Sequence, residues 1–226
     1  MSIYFSAVVA MSALVTLEAL WHGPLAASTD FLLLVVFACV AAPHTLSLGH
    51  GVRISTLQPF ILAALVLVGI GEAMFVAAVS MAYFWAVGRP RLPAHKALFN
   101  LCNFVLSAWV GGHVFYAAGG RAGDVSSPGS LLALLLTVLA FFAVNTGLVS
   151  VAVALEQDIH PYRVWYEKYS WTLNAQLAGG SLTILIGMLR ERLGAQVVFL
   201  TVPFCIMAYH FYRVYFSRAS QGAHRT

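Results

Sequence analysis

GRPRLPAHKALFNLCNFVLSAWVGGHVFY, residues Gly88–Tyr116, decides the fold. It opens as a basic loop broken by prolines, with Arg89, Pro90, Arg91, Pro93, His95 and Lys96 in close succession. It then runs without a further charge into an apolar segment long enough to cross a bilayer, which takes roughly 20 residues. A short loop rich in Lys and Arg beside a span marks the cytoplasmic side. The same span carries Asn100, Asn103, Ser107 and His113 into a region where polarity is costly. Orientation and candidate function both start here.

The rest of the chain agrees with that reading. Of its 226 residues 61% are hydrophobic and only 9% are charged, against about 25% charged in a soluble domain. So few charges cannot cover a water-facing surface. The expected fold is all-α: a polytopic membrane helical bundle of about 7–8 transmembrane helices, filling residues 1–216, with 217–226 as a disordered cytoplasmic tail. The net charge of +4 follows from basic residues in short loops, so no nucleic-acid partner is expected. The bilayer itself is the first partner. Cys39, Cys102 and Cys205 lie singly in apolar segments, without CxxC or Cys/His ligand spacing, and read as small buried hydrophobes.

In chain order, the first span is read over Ile3–Trp21, retained rather than cleaved because it lacks a basic n-region. Asp30 is the expected N-cap of a second segment, Phe31–Leu48, kinked near Pro43 and His44. Thr56–Val87 is too long for one crossing: at 1.5 Å per residue it would reach roughly 48 Å. Gly69-Ile70-Gly71 is the natural break, giving a short third segment over Leu57–Val68, spanning or re-entrant, and a fourth over Glu72–Val87. The fifth runs Ala94–Ala118, the sixth Ser130–Leu155, the seventh Thr172–Leu189 before a tight turn at RERLG, and the eighth Ala195–Phe216. Between the sixth and seventh, EQDIHPYRVWYEKYSW mixes charges with aromatics and reads as an interfacial amphipathic segment. With eight crossings and an internal N-terminus, nine of the 12 Lys and Arg fall inside. Arg121, Arg190 and Arg192 remain outside. A re-entrant third segment would move the N-terminus outside but leave the Arg89 loop cytoplasmic.

Acids inside spans are functional candidates. Glu72 follows the Gly-Ile-Gly break, where the helix dipole and free N–H groups stabilise a carboxylate. Glu18 and His22 are spaced i, i+4 on one face and read first as an interfacial hydrogen-bonded pair. His113 and His210 could reach one another across the bundle, but nothing completes a haem or metal site, so no cofactor and no metal are expected. The amides form the more informative group: Asn100 and Asn103 with Ser107 on the fifth segment, Asn145 and Thr146 on the sixth, Asn174 and Gln176 on the seventh. Such side chains seek partners on other helices, each contact being worth about 0.6–2 kcal/mol. Gly111, Gly112, Gly147, Gly179 and Gly180 would let helices approach closely. The amides either fasten helices together or line a polar pocket for a small ligand. The candidate ligand-binding set is therefore Asn100, Asn103, Ser107, His113, Asn145, Thr146, Asn174 and Gln176. No HExxH, GxSxG, P-loop or close carboxylate pair is present, so catalysis is not expected.

KALFNLCNFVLSAWVGGHVFY and LLALLLTVLAFFAVNTGLVSVAVAL carry a family likeness in Lys96, Leu98, Phe99, Asn100, Ser107, Tyr116, Phe142, Asn145 and Thr146. They resemble the N-terminal multi-helix membrane sensory region of bacterial signalling proteins. In those proteins the output is an HD-GYP phosphodiesterase, a diguanylate cyclase, a sensor histidine kinase or a serine phosphatase. The resemblance covers about the third to eighth segments, and these regions are in turn distantly similar to the substrate-binding components of ECF-type transporters. It implies a bundle in the bacterial cytoplasmic (inner) membrane, with its C-terminus cytoplasmic. After Phe216 the sequence has ten residues and no output domain, so either a fragment of a longer protein or a free-standing sensory or ligand-binding module is expected. It would act on a signalling partner through residues 156–171. The alternatives are a substrate-capture subunit of a small-molecule transporter and a scaffold that binds nothing.

Overall fold

The computed structural model describes residues 2–21, 23, 25–47, 53–88 and 92–194. The expected eighth segment, the 217–226 tail, His22, Arg89 and Arg91 lie outside the described residues. The elements are α1 (Ser2–Trp21), α2 (Thr29–Ala41), β1 (Thr45–Ser47), β2 (Arg53–Ser55), α3 (Gln58–Leu67), α4 (Ile70–Val87), α5 (Ala94–Ala117), α6 (Pro128–Gln157), α7 (Pro161–Val164) and α8 (Leu173–Leu193). A π-turn over Trp165–Tyr169 and a 3-10 turn over Ser170–Thr172 join α7 to α8. Among the described residues five helices are long and apolar enough to cross a membrane: α1, α4, α5, α6 and the composite Pro161–Leu193. The chain is a multi-pass membrane bundle.

Side-chain distribution follows from a lipid-facing exterior. Ile3, Met11, Leu14, Leu17, Leu20 and Trp21 of α1 all point outward. A surface that apolar is stable only where the surroundings are apolar too. The opposite extreme is α3, buried from Gln58 to Val66. Its 10 residues span about 15 Å, half of a ~30 Å hydrocarbon core. A helix that is apolar all round belongs in the interior, and α3 is enclosed by α2, α4, α5 and α8.

The break between α3 and α4 falls at Val68-Gly69, at the edge of the expected Gly69-Ile70-Gly71 break, with Ile70 and Gly71 already in α4. The second segment differs from expectation. Its cap is Ser28, whose Oγ accepts the Phe31 N–H at 3.2 Å, while Asp30 sits in the first turn. α2 ends at Ala41 rather than running to Leu48, because Pro43 has no N–H to continue the ladder. A two-stranded antiparallel hairpin, Thr45 opposite Ser55, then turns the chain into α3. Thr56 Oγ1 closes its base on the carbonyls of Ala41 and His44. At the other end of the chain RERLG is not a tight turn. α8 continues through it to Leu193 and stops at Gly194, with φ +74. Arg190 is held there by Asp30 of α2.

These contacts fix the order of ends. Tyr4 hydrogen-bonds the Leu148 carbonyl at 2.8 Å, and its ring lies 6.2 Å from Phe99. Lys96 pairs with Glu156 at 3.0 Å. The N-terminus, the start of α5 and the end of α6 therefore share one end of the bundle. The opposite end gathers Glu18 with Trp109, Ala26 with Glu72, and Asp30 with Arg190. α2 and α3 leave from this end and return to it, so their length does not alter the side on which α1 begins.

Candidate functional site

The glycines of α5 let it approach its neighbours closely, Gly111 towards α6 and Gly112 towards α3 and α4. A Cβ on Gly111 would lie 3.3 Å from Thr137 Cγ2, and one on Gly112 would lie 2.6 Å from Ile70 Cγ1. Along the antiparallel α5–α6 seam Asn103, 1% exposed, donates from Nδ2 to the backbone carbonyl of Asn145 at 3.1 Å. The bond engages one half of the Asn103 amide and leaves the Asn145 side chain out. Asn103 Oδ1 and Asn145 Nδ2 are buried with no partner among the described residues. One is an acceptor and the other a donor.

The hydroxyls of this set are already satisfied. Ser107 Oγ donates to the Asn103 carbonyl at 2.7 Å, and Thr146 Oγ1 donates to the Phe142 carbonyl at 2.7 Å. This is the usual i−4 back-bond of a helix hydroxyl. Thr146 Oγ1 also accepts the indole N–H of Trp165 at 2.9 Å. The sixth span is thereby tied directly to the π-turn.

Gln176, 8% exposed, lies on the α3-facing side of α8. Its backbone carbonyl accepts Gln58 Nε2 at 3.2 Å, while its own Oε1 has no partner among the described residues. Gly179 makes room for this junction, since a Cβ there would stand 2.8 Å from Gln58 Oε1. Thr183 Oγ1 lies 3.1 Å from the carbonyls of both Pro59 and Gly179.

The expected residues thus separate into groups. Asn103, Ser107, Asn145 and Thr146 come together at the α5–α6 seam, and Gln176 faces α3. Asn100 is half-buried one turn from Asn103, with no hydrogen bond to its amide among the described residues. Asn174 is exposed. His113 is also exposed; its Nδ1 lies 2.9 Å from the Trp109 carbonyl, and its ring centroid lies 4.3 Å from that of Trp109. It belongs to the far end of the bundle. Among the described residues no three His, Cys, Asp or Glu side chains gather at a metal-like site.

Both intramembrane acids hold connections between elements. Glu72 Oε1 accepts the Ala26 N–H at 2.7 Å, so a first-turn carboxylate of α4 anchors the α1–α2 linker. Glu18 Oε2 accepts the Trp109 indole N–H at 2.7 Å, joining α1 to α5. Gln58, Trp165 and Trp171 were not singled out by sequence. Gln58 stands at the head of an apolar run beside Pro59, and an amide in that position is the signal that could have found it. The two tryptophans are indistinguishable by composition from the other aromatics of an interfacial segment.

Comparison with known families places this geometry. The MASE9 family, a family of membrane-associated sensor domains, matches residues 14–215, and the chain belongs to it. No curated protein and no solved structure matches the chain.

Proposed function

We propose that the chain is a non-catalytic sensory module of the bacterial inner membrane. It takes a small molecule into the bundle at the α5–α6–α8 region and passes the bound state to a signalling partner through residues 156–171. The Lys96 end is cytoplasmic, since the basic loop between α4 and α5 lies there. The observation that carries the reading is the Trp165–Thr146 hydrogen bond. It puts the interfacial segment one residue away from Asn145, whose Nδ2, like Asn103 Oδ1, is buried with no partner among the described residues. A ligand that completes that pair biases the seam, and the seam holds the π-turn. Such turns recur at functional sites.

The test is a thermal-shift measurement on the full chain in nanodiscs against small-molecule extract from the source cells. A fraction that raises the melting temperature should lose its effect in Asn103→Leu and Asn145→Leu. Trp165→Phe should keep the shift but lose the response of a partner that binds residues 156–171. If no fraction shifts the wild-type protein, the sensory reading has no support left.

A second reading, capture of a substrate for a transporter, draws on the short helices α2 and α3, which leave one end of the bundle and return to it without crossing. Broken helices near the membrane midplane recur in transporter binding sites. It predicts copurification with an energising ATPase and a membrane partner, and the protein purifying alone from its native membrane would count against it.

A further inference from the structure

Among the described residues four buried polar atoms within one stretch of the bundle have no hydrogen-bond partner. They are Asn103 Oδ1 on α5, Asn145 Nδ2 on α6, Trp171 Nε1 just before α8, and Gln176 Oε1 on α8. Helix register puts them at one depth. Asn103 meets Asn145 directly. A Cβ on Gly180 would lie 2.7 Å from Val138 Cγ2, which sets the antiparallel α6–α8 register. Asn145 is about 10 Å along α6 from that contact, and the same distance back along α8 reaches Leu173. Trp171 and Gln176 lie within a turn of Leu173, on either side of it.

The chemistry of the four is specific. Two are acceptors, Asn103 Oδ1 and Gln176 Oε1; two are donors, Asn145 Nδ2 and Trp171 Nε1. A primary carboxamide offers the complement, two N–H donors and a carbonyl oxygen with two lone pairs. A carboxylate would set negative charge against two carbonyl-type oxygens. An ammonium would leave the two donors unanswered. Among the described residues, charged side chains of the spans are engaged towards the ends of the bundle: Lys96 with Glu156 at one, and Glu18, Glu72, Asp30 and Arg190 at the other. Buried hydrogen-bonding groups reject analogues that leave them unpaired far more strongly than an apolar pocket rejects a missing methyl group.

We propose that the level formed by Asn103, Asn145, Trp171 and Gln176 binds an uncharged molecule of the carboxamide class. The proposal rests on the sensory reading above and supplies its ligand chemistry. Trp171 becomes a binding residue that the amide pattern alone does not reveal, whereas the exposed Asn174 takes no part.

The experiment compares three probes of equal size, propionamide, propionate and propylamine, on the full chain in nanodiscs. Binding is read by melting temperature and by tryptophan emission. Propionamide should give a saturable shift, with the two ions at least tenfold weaker. Asn103→Leu and Asn145→Leu should abolish the propionamide shift, Gln176→Leu and Trp171→Phe should weaken it several-fold, and Asn174→Leu should leave it intact. Where an asparagine variant does not fold, Gln176→Leu and Trp171→Phe carry the test. Equal shifts by an ion, or no saturable shift by propionamide, would overturn the proposal. So would a direct Asn103–Asn145 side-chain bond that leaves every probe without effect. If a cell extract still shifts the wild-type chain, and not Asn145→Leu, while propionamide does not, the carboxamide assignment falls and the sensory reading stands. If neither shifts it, both fall.

Discussion

The Trp165 indole N–H donates to Thr146 Oγ1 at 2.9 Å, joining the middle of a transmembrane helix to a segment 19 residues further along the chain. Thr146 is 4% exposed and already donates to the Phe142 carbonyl. Its one hydroxyl therefore serves two elements. The Trp165 ring also lies 6.1 Å from the Phe142 ring, so packing and hydrogen bonding act at the same point.

Removing either partner of that bond should have unequal effects. Thr146→Val keeps the shape but leaves an indole N–H without an acceptor, which costs about 1–3 kcal/mol for a buried group. Trp165→Phe removes the donor and leaves Thr146 bonded to Phe142, and should cost about 1 kcal/mol from the bond itself, plus the packing of the lost ring. In the double variant the losses should not add, because both report one contact. Thermal unfolding in nanodiscs measures all three. Additive losses would show that the two side chains act independently.

The glycines make opposite predictions in one helical background. A Cβ on Gly112 would stand 2.6 Å from Ile70 Cγ1 and 2.9 Å from Leu65 Cδ1, at the junction of α3, α4 and α5. Gly112→Ala should therefore destabilise by about 1–3 kcal/mol, as overpacking does. Gly147 lies in α6 with nothing within 4 Å of a Cβ. Gly147→Ala should stabilise, by up to about 1 kcal/mol, through helix propensity. Melting temperatures moving in the same direction would contradict the close α4–α5 approach.

Much of this was legible in the sequence because membrane physics writes it plainly. Apolar runs with few charges gave α1, α4, α5 and α6 nearly to their ends, and the glycines at 69 and 71 marked the region of the α3–α4 break. The second segment was misread because Pro43 stops the helix, whereas the sequence reading has it only as a kink. The pairing of Asn103 with Asn145 follows from polar groups seeking each other across a seam of small residues. That Asn174 faces outward while Gln176 is buried depends on the rotation of α8, which the hydrophobic pattern leaves undetermined when every face is apolar. Trp171 and Gln58 depend on which elements approach them, a property of the assembled bundle and not of the local sequence.

Asp124 should control the acid stability of the α5–α6 connection. Its carboxylate accepts N–H groups from Ser126 and Ser127 and the hydroxyls of Ser127 and Ser130. The Ser127 hydroxyl above all, then the Ser127 and Ser126 amides, hold its pKa far below the ordinary carboxylate value of 3.8. A carboxyl whose folded pKa is depressed contributes stability that is fully present above the unfolded value and is lost as pH falls towards the folded one. The contribution should thus be complete above about pH 5 and decline steadily below about pH 4. Asp124→Asn should be less stable than wild type at neutral pH and should show a flatter stability profile below pH 4. Parallel profiles for the two proteins would mean that another group governs acid unfolding there.

The order of ends predicts which loops share a compartment. Ser126, at the start of α6, and Gln157, at its end, are both exposed and lie at opposite ends of one 30-residue helix. At 1.5 Å per residue α6 is about 45 Å long, enough to clear a ~30 Å hydrocarbon core at both ends. With Cys39, Cys102 and Cys205 replaced by alanine, Ser126→Cys should react with a membrane-impermeant maleimide on intact spheroplasts. Gln157→Cys should react only in inverted vesicles, because the Lys96–Glu156 pair fixes that end beside the basic loop. Labelling of both positions from one side would contradict a crossing by α6. The reverse order would keep the fold and turn the sensor over, placing residues 156–171 where a cytoplasmic partner could not reach them.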